Sequence, residues 1–180
     1  HPDAITQLPR TDQRDHGGVV GAQPHGWQAQ RNPACRARGG EPLAQKNCLP
    51  LLVALCDAGY QVSLETGGAI DISEVDARVM RVVDIKTPAS GEVEKNRWGN
   101  LLQLTQHDEI KFVLCDEADY HWAKQIIQQH QLTNKCTVLF SPVHDGLNAT
   151  LLAEWILRDN LPVRLQVQLH KILWNNVPGH

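Results

Sequence analysis

The chain has 180 residues, 42% of them hydrophobic, and a formal net charge of -3 from 17 Lys and Arg against 20 Asp and Glu. That size suits one globular domain with a core, and a pI of about 6.3 with a mean hydropathy of -0.34 argues against a nucleic-acid partner, which calls for a Lys and Arg excess. The longest apolar run, Leu49 to Leu55 with Pro50 inside it, falls far short of the roughly 20 residues that cross a bilayer, and no secretory leader follows His1, so a cytoplasmic protein without a membrane partner is expected.

Residues 1 to 38 hold only four large aliphatics, Ile5, Leu8, Val19 and Val20, among many Gln, Arg, His, Gly and Pro. So little apolar surface cannot offset chain entropy, and the stretch is expected to be an unstructured or atypical leader, with an out-of-frame segment as the alternative. From Gly39 onward short β-type runs alternate with longer helix-type runs, the pattern of a parallel sheet with crossover helices. Pro42 to Ala58 carries Leu43, Leu51, Leu52 and Leu55 at near-helical spacing, with Gly59 as its stop and Pro50 as a break or kink. Strands are predicted at Tyr60 to Glu65, at Val79 to Ile85 (buried on both faces), at Glu109 to Cys115, at Cys136 to Phe140 and at Val163 to Leu169. Helices are predicted at Glu117 to His130, with the stripe Ala118, Trp122, Ile126 and Ile127, and at Ala149 to Leu157. The total is five strands and about four helices. Phe112, Trp122 and Trp155 fall at core-facing spacing, which leaves Trp98 and Trp174 to cover a pocket or a partner surface.

In parallel α/β folds ligands bind where strands end, because loops converge there and helix N-termini present unpaired N–H groups. Gly39-Gly40-Glu41-Pro42 permits close backbone approach and starts a helix at Pro42, or is a simple turn. Glu65 at a strand end needs a cationic or hydroxyl partner, and Lys86 is the internal candidate. Asp84 and Lys86 alternate along one strand and so share a face, as a structural ion pair or as a cradle for a zwitterionic ligand. Gln168 and His170 share a face of the last strand and suit a planar heterocycle, although His170 alone resembles a surface histidine. The five cysteines, at 35, 48, 56, 115 and 136, lie too far apart in sequence for a zinc or redox pair and are expected to be reduced and mostly buried.

These strand-end motifs, in this order, resemble the radical S-adenosylmethionine (SAM) superfamily and, within it, the 7-carboxy-7-deazaguanine synthases, from about Gly39 to Trp174. Gly39-Gly40-Glu41-Pro42 resembles the superfamily's SAM-binding loop. Ser63-Leu64-Glu65-Thr66-Gly67-Gly68, Val83-Asp84-Ile85-Lys86-Thr87-Pro88 and Gln168-Leu169-His170-Lys171-Ile172-Leu173-Trp174 resemble the synthases' later motifs. The resemblance implies a lyase of queuosine (7-deazapurine) biosynthesis that contracts 6-carboxy-5,6,7,8-tetrahydropterin to 7-carboxy-7-deazaguanine with loss of ammonia. It implies SAM, a [4Fe-4S] cluster and Mg2+ as cofactors, a homodimer, and an electron donor such as flavodoxin. By the same resemblance Gly39, Gly40, Glu41, Asp84, Ile85 and Lys86 would bind SAM, Glu65, Thr66, Gln168 and His170 would bind substrate, and no catalytic residue is assigned.

The family's Cys-x-x-x-Cys-x-x-Cys ahead of Gly-Gly-Glu-Pro is missing, since only Cys35 precedes Gly39, and the Mg2+-binding Thr or Ser is missing with it. The expected architecture is therefore a partial (β/α) radical-SAM barrel over residues 39–174, lacking its first βα unit and cluster loop, with an exposed edge strand and a tail at 175–180. This chain alone is expected to be inactive. The alternative is a cluster-free module that binds SAM or pterin, or a non-catalytic interaction partner.

Overall fold

The computed structural model describes residues 33–38, 40–144 and 146–169, together with Leu173 and the backbone of Val19–Gln23. Seven strands form one sheet in chain order: β1 (Val19–Gln23), β2 (Ala34–Arg38), β3 (Gln61–Thr66), β4 (Met80–Ile85), β5 (Glu109–Leu114), β6 (Thr137–Pro142) and β7 (Arg164–Leu165). β1 runs antiparallel to β2, and every other neighbouring pair is parallel. The helices are α1 (Cys48–Asp57), α2 (Glu117–His130), α3 (Leu132–Lys135) and α4 (Ala149–Arg158). Among the described residues no helix is long and apolar enough to cross a membrane.

Parallel crossovers are right-handed, so a strand order that never reverses sends each connecting helix to the same side of the sheet. From β2 to β7 the order never reverses. This is the winding of an arc of a (β/α) barrel, whereas a doubly wound sheet reverses its order and carries helices on both faces.

Sequence alternation follows from that one-sided cover. On the helix side Val62, Leu64, Ile110, Phe112, Val138 and Phe140 are buried with Leu52, Leu55, Tyr120 and Trp155 in one core. Phe112 and Phe140 meet edge to face with ring centroids 5.8 Å apart, and Tyr120 packs on Phe140 at the same distance. On the other side, register aligns Glu65 with Val82, Asp84 with Lys111, and Val113 with Ser141. That helix-free face is predominantly polar.

Several expectations change. Residues 1 to 38 contain two strands, β1 and β2, and Cys35 and Ala37 of β2 are buried in the core. A short strand needs only alternate residues to be apolar, and the Cys-Arg-Ala-Arg run meets that condition with small side chains. The sheet thus continues past β3 on the side where an exposed edge was expected, and among the described residues it has seven strands where five were predicted.

The helix expected over Pro42 to Ala58 divides into a 3-10 turn, Pro42–Ala44, and α1. Pro50 is the third residue of α1, where the N–H has no acceptor within the helix, so it neither breaks nor kinks it. The last strand shrinks from Val163 to Leu169 to the two exposed residues of β7. Phe112 and Trp155 are core residues and Trp122 is partly buried against the core. Trp98 stacks on His130 at 5.5 Å, on the α2 side, and Trp174 lies outside the described residues.

Candidate functional site

A cavity of about 170 Å³ opens at the carboxyl ends of β3 and β4, lined by Gly40, Glu65, Thr66, Gly67, Val82, Asp84, Lys86 and Lys111. Glu41 builds its rim without lining it. The Glu41 carboxylate accepts hydrogen bonds from the Leu43 N–H at 3.1 Å, the Thr66 hydroxyl at 2.9 Å and the Gly67 N–H at 2.7 Å. One buttressing acid therefore ties the loop before α1 to the end of β3, and the Thr66 hydroxyl is committed to it.

Gly68 has φ +75, and a Cβ there would lie 2.9 Å from the Asp84 carbonyl oxygen. Only glycine takes this conformation at that distance without displacing the backbone of β4.

The segment after β4 is fixed twice. Asn96 pairs with the Lys86 backbone as a strand would: the Lys86 N–H donates to Asn96 Oδ1 at 2.9 Å, and Asn96 Nδ2 donates to the Lys86 carbonyl at 2.8 Å. Buried Asp119 of α2 accepts from the Thr87 hydroxyl at 2.8 Å and from the Ala89 and Cys115 N–H groups, each at 3.0 Å. The backbone that carries Asp84 and Lys86 is thereby pinned to α2.

Lys86 Nζ donates to Asp84 Oδ2 at 2.7 Å, so the ion pair foreseen for these two forms. Asp84 Oδ1 is buried with no hydrogen-bond partner among the described residues, as are Ser141 Oγ and Gln168 Oε1. Native buried polar atoms are nearly always paired, so such orphans point to groups that a ligand or water would satisfy. Glu65 has no hydrogen bond or ion pair among the described residues, and Lys86 serves Asp84 in its place.

The structure brings Gly40, Glu65, Thr66, Asp84 and Lys86 together and keeps others apart. The Ile85 side chain is 1% exposed in the core, so only its backbone faces the loop region. Gln168 lies beyond β7 and does not line the cavity. Gly39 and His170 lie outside the described residues. Lys111, Val82 and Gly67 were missed; the signal for Lys111 was a single charge inside the otherwise apolar run Ile-Lys-Phe-Val-Leu-Cys.

All five cysteines are unpaired thiols. Burial pushes up the thiol pKa of Cys35, Cys48, Cys56 and Cys115, and that of Cys136 to about 11. Among the described residues no group of three or more His, Cys, Asp or Glu could hold a metal ion.

The chain is 48% identical over 146 residues to the 7-carboxy-7-deazaguanine synthase of Chlorobaculum tepidum, covering 79% of this chain and 66% of that protein. Over about three quarters of its length this chain is similar to the 7-carboxy-7-deazaguanine synthases. The 7-carboxy-7-deazaguanine synthase of Koribacter versatilis is 43% identical over 150 residues, covering 76% of this chain and 66% of that protein. That of Methanospirillum hungatei JF-1 is 36% identical over 137 residues, covering 75% of this chain and 56% of that protein. The chain thus spans 56% to 66% of the length of these three synthases. The crystal structure of Streptococcus suis SuiB aligns with a TM-score of 0.48 and 11% identity, over 78% of this chain and 41% of that one. No protein-family model matches the chain.

Proposed function

We propose that this chain serves 7-carboxy-7-deazaguanine formation in queuosine biosynthesis. The reaction is the radical SAM ring contraction of 6-carboxy-5,6,7,8-tetrahydropterin with release of ammonia, a lyase reaction of a cytoplasmic enzyme. The observation that carries this reading is the sharing of one cavity by two sets of residues. Gly40, Asp84 and Lys86, which the family resemblance gives to SAM, line it together with Glu65 and Thr66, which it gives to the pterin.

The donor set fits such ligands. Asp84 Oδ1 is a buried acceptor with no partner among the described residues, open to an N–H or O–H of SAM. The Glu65 carboxylate matches the amino and ring N–H donors along a pterin edge, whereas Gln168, whose Oε1 is an orphaned acceptor outside this cavity, is given to the pterin by the family resemblance alone. His170 is the fourth pterin residue in this proposal, and Gly39 and the Ile85 backbone complete the SAM side. In the full-length enzyme, SAM would supply the 5′-deoxyadenosyl group that takes hydrogen from the substrate once the cluster delivers the electron that cleaves it.

The residues present do not fit an iron-sulfur cluster. A [4Fe-4S] centre needs converging thiolates. Cys35 is 3% exposed, its thiol pKa is raised by burial, and it aligns with Val62 on the helix side of the sheet, opposite to Glu65. We therefore assign to these 180 residues the binding of SAM and pterin, without turnover by this chain alone. The cluster, Mg2+, a flavodoxin-type electron donor and the homodimer are proposed for the family's full-length enzyme.

Calorimetric titration of the purified chain with SAM and with the carboxypterin tests this. Saturable binding of both, with no iron-sulfur absorbance after anaerobic incubation with iron and sulfide, is expected. If neither ligand binds or raises the melting temperature, the proposal is wrong.

A further inference from the structure

Four charged side chains line the cavity, Glu65, Asp84, Lys86 and Lys111, and two of them neutralise each other through the 2.7 Å contact of Lys86 Nζ with Asp84 Oδ2. Glu65 and Lys111 remain without hydrogen bonds or ion pairs among the described residues. Lys111 sits in the middle of β5, and its register partner on β4 is Asp84. Even so, Asp84 does not hold it, since one Asp84 oxygen serves Lys86 and the other has no partner. Its neighbours Ile110 and Phe112 are both fully buried on the helix side, which fixes Lys111 on the cavity side.

A half-buried ammonium with no counter-ion is disfavoured by desolvation, and a carboxylate arriving opposite it relieves that cost. We propose that Lys111 is the specificity-determining cation of this cavity and receives the carboxylate of a bound ligand. The proposal rests on the function given above, where both ligands carry a carboxylate: SAM on its methionine end and the pterin at its 6-position. The shared chemistry is a carboxylate held by an ammonium; Glu65, the unpaired acid, faces the donor groups of the same ligand set.

The test pairs each ligand with an analogue lacking the carboxylate: SAM with 5′-methylthioadenosine, and 6-carboxytetrahydropterin with 6-methyltetrahydropterin. Binding is measured by calorimetry on the wild-type chain and on Lys111→Gln and Lys111→Arg. Lys111→Gln should weaken at least one carboxylate-bearing probe by about tenfold, as expected for the loss of one charge-assisted hydrogen bond. It should leave that probe's carboxylate-free analogue unchanged, and Lys111→Arg should retain most of the affinity. The pair that responds names the source of the carboxylate. A loss shared equally by the members of each pair, or no loss in any, overturns the proposal. If the wild type binds none of the four probes, the proposed function fails and this inference with it. A third variant, Lys111→Met, separates a ligand role from a structural one. Without ligand its melting temperature should match or exceed the wild type's, because an unpaired charge has been removed, and a clear fall would overturn the proposal.

Discussion

Arg81 is the residue whose chemistry was least visible before folding. It stands in a β-branched run, yet its guanidinium makes a two-point contact with Asp108, Nε to Oδ1 at 2.9 Å and a terminal nitrogen to Oδ2 at 2.6 Å. The pair is almost fully enclosed, with side-chain exposures of 10% and 1%. Burial works against the Asp108 charge, but hydrogen bonds from Arg81 and Thr105 outweigh it and hold the carboxyl below its ordinary value of 3.8. A folded-state pKa below the unfolded one adds stability above the unfolded value, and that stability drains away as pH falls through the folded value. Asp108→Asn should therefore cost on the order of 3 kcal/mol at neutral pH, the usual cost of leaving one partner of a buried pair alone. Urea unfolding followed from about pH 6 down to about pH 3 should show the gap between wild type and variant closing below about pH 4. Parallel curves across that range would contradict the assignment. Nothing in the sequence pairs these two residues, 27 positions apart, because the contact depends on how β4 and the start of β5 register.

Elements were legible in proportion to their alternation. β3, β5, α2 and α4 follow their apolar periods to within a residue or two, because one face of each is buried. β7 was overestimated because its alternation continued beyond the two residues that pair with β6. β2 was missed because its inward residues are a cysteine and an alanine, which carry little β signal. Between β4 and β5 the chain follows three 3-10 turns held by side-chain amides. Asn100, for example, donates to the carbonyls of Gly68 and Ile70 and accepts from the Ile72 N–H. No hydrophobic period announces such a loop. The turn at Gly68 makes its own prediction. Gly68→Ala would place a methyl group 2.9 Å from the Asp84 carbonyl at φ +75. It should lower stability by about 1–2 kcal/mol, the cost of a left-handed residue with a side chain, and, under the function proposed above, weaken SAM binding by moving Asp84. Thermal melts and titration together check it, and an unchanged melting temperature would count against the close approach.

At the scale of the whole molecule, the strand-end rule reads most of the candidate site from the sequence, because an arc of parallel strands gathers its loops at one end. Glu65, Asp84 and Lys86 were legible for that reason. What the rule could not give was the division of labour among them. That Lys86 serves Asp84, that Glu41 serves the backbone, and that Lys111 enters from the adjacent strand are facts of register and distance.

The one-sided helix cover has a thermal consequence. Apolar surface exposed on unfolding raises the heat capacity and polar surface lowers it. A sheet that keeps Ser63, Glu65, Asp84 and Lys111 along its helix-free face releases less apolar area per residue than a sheet sandwiched between two helix layers. Scanning calorimetry of the chain should therefore return a heat-capacity change of unfolding below the usual value of about 12–15 cal/mol/K per residue. Its stability curve would be broad and shallow, with cold giving up comparatively little of it.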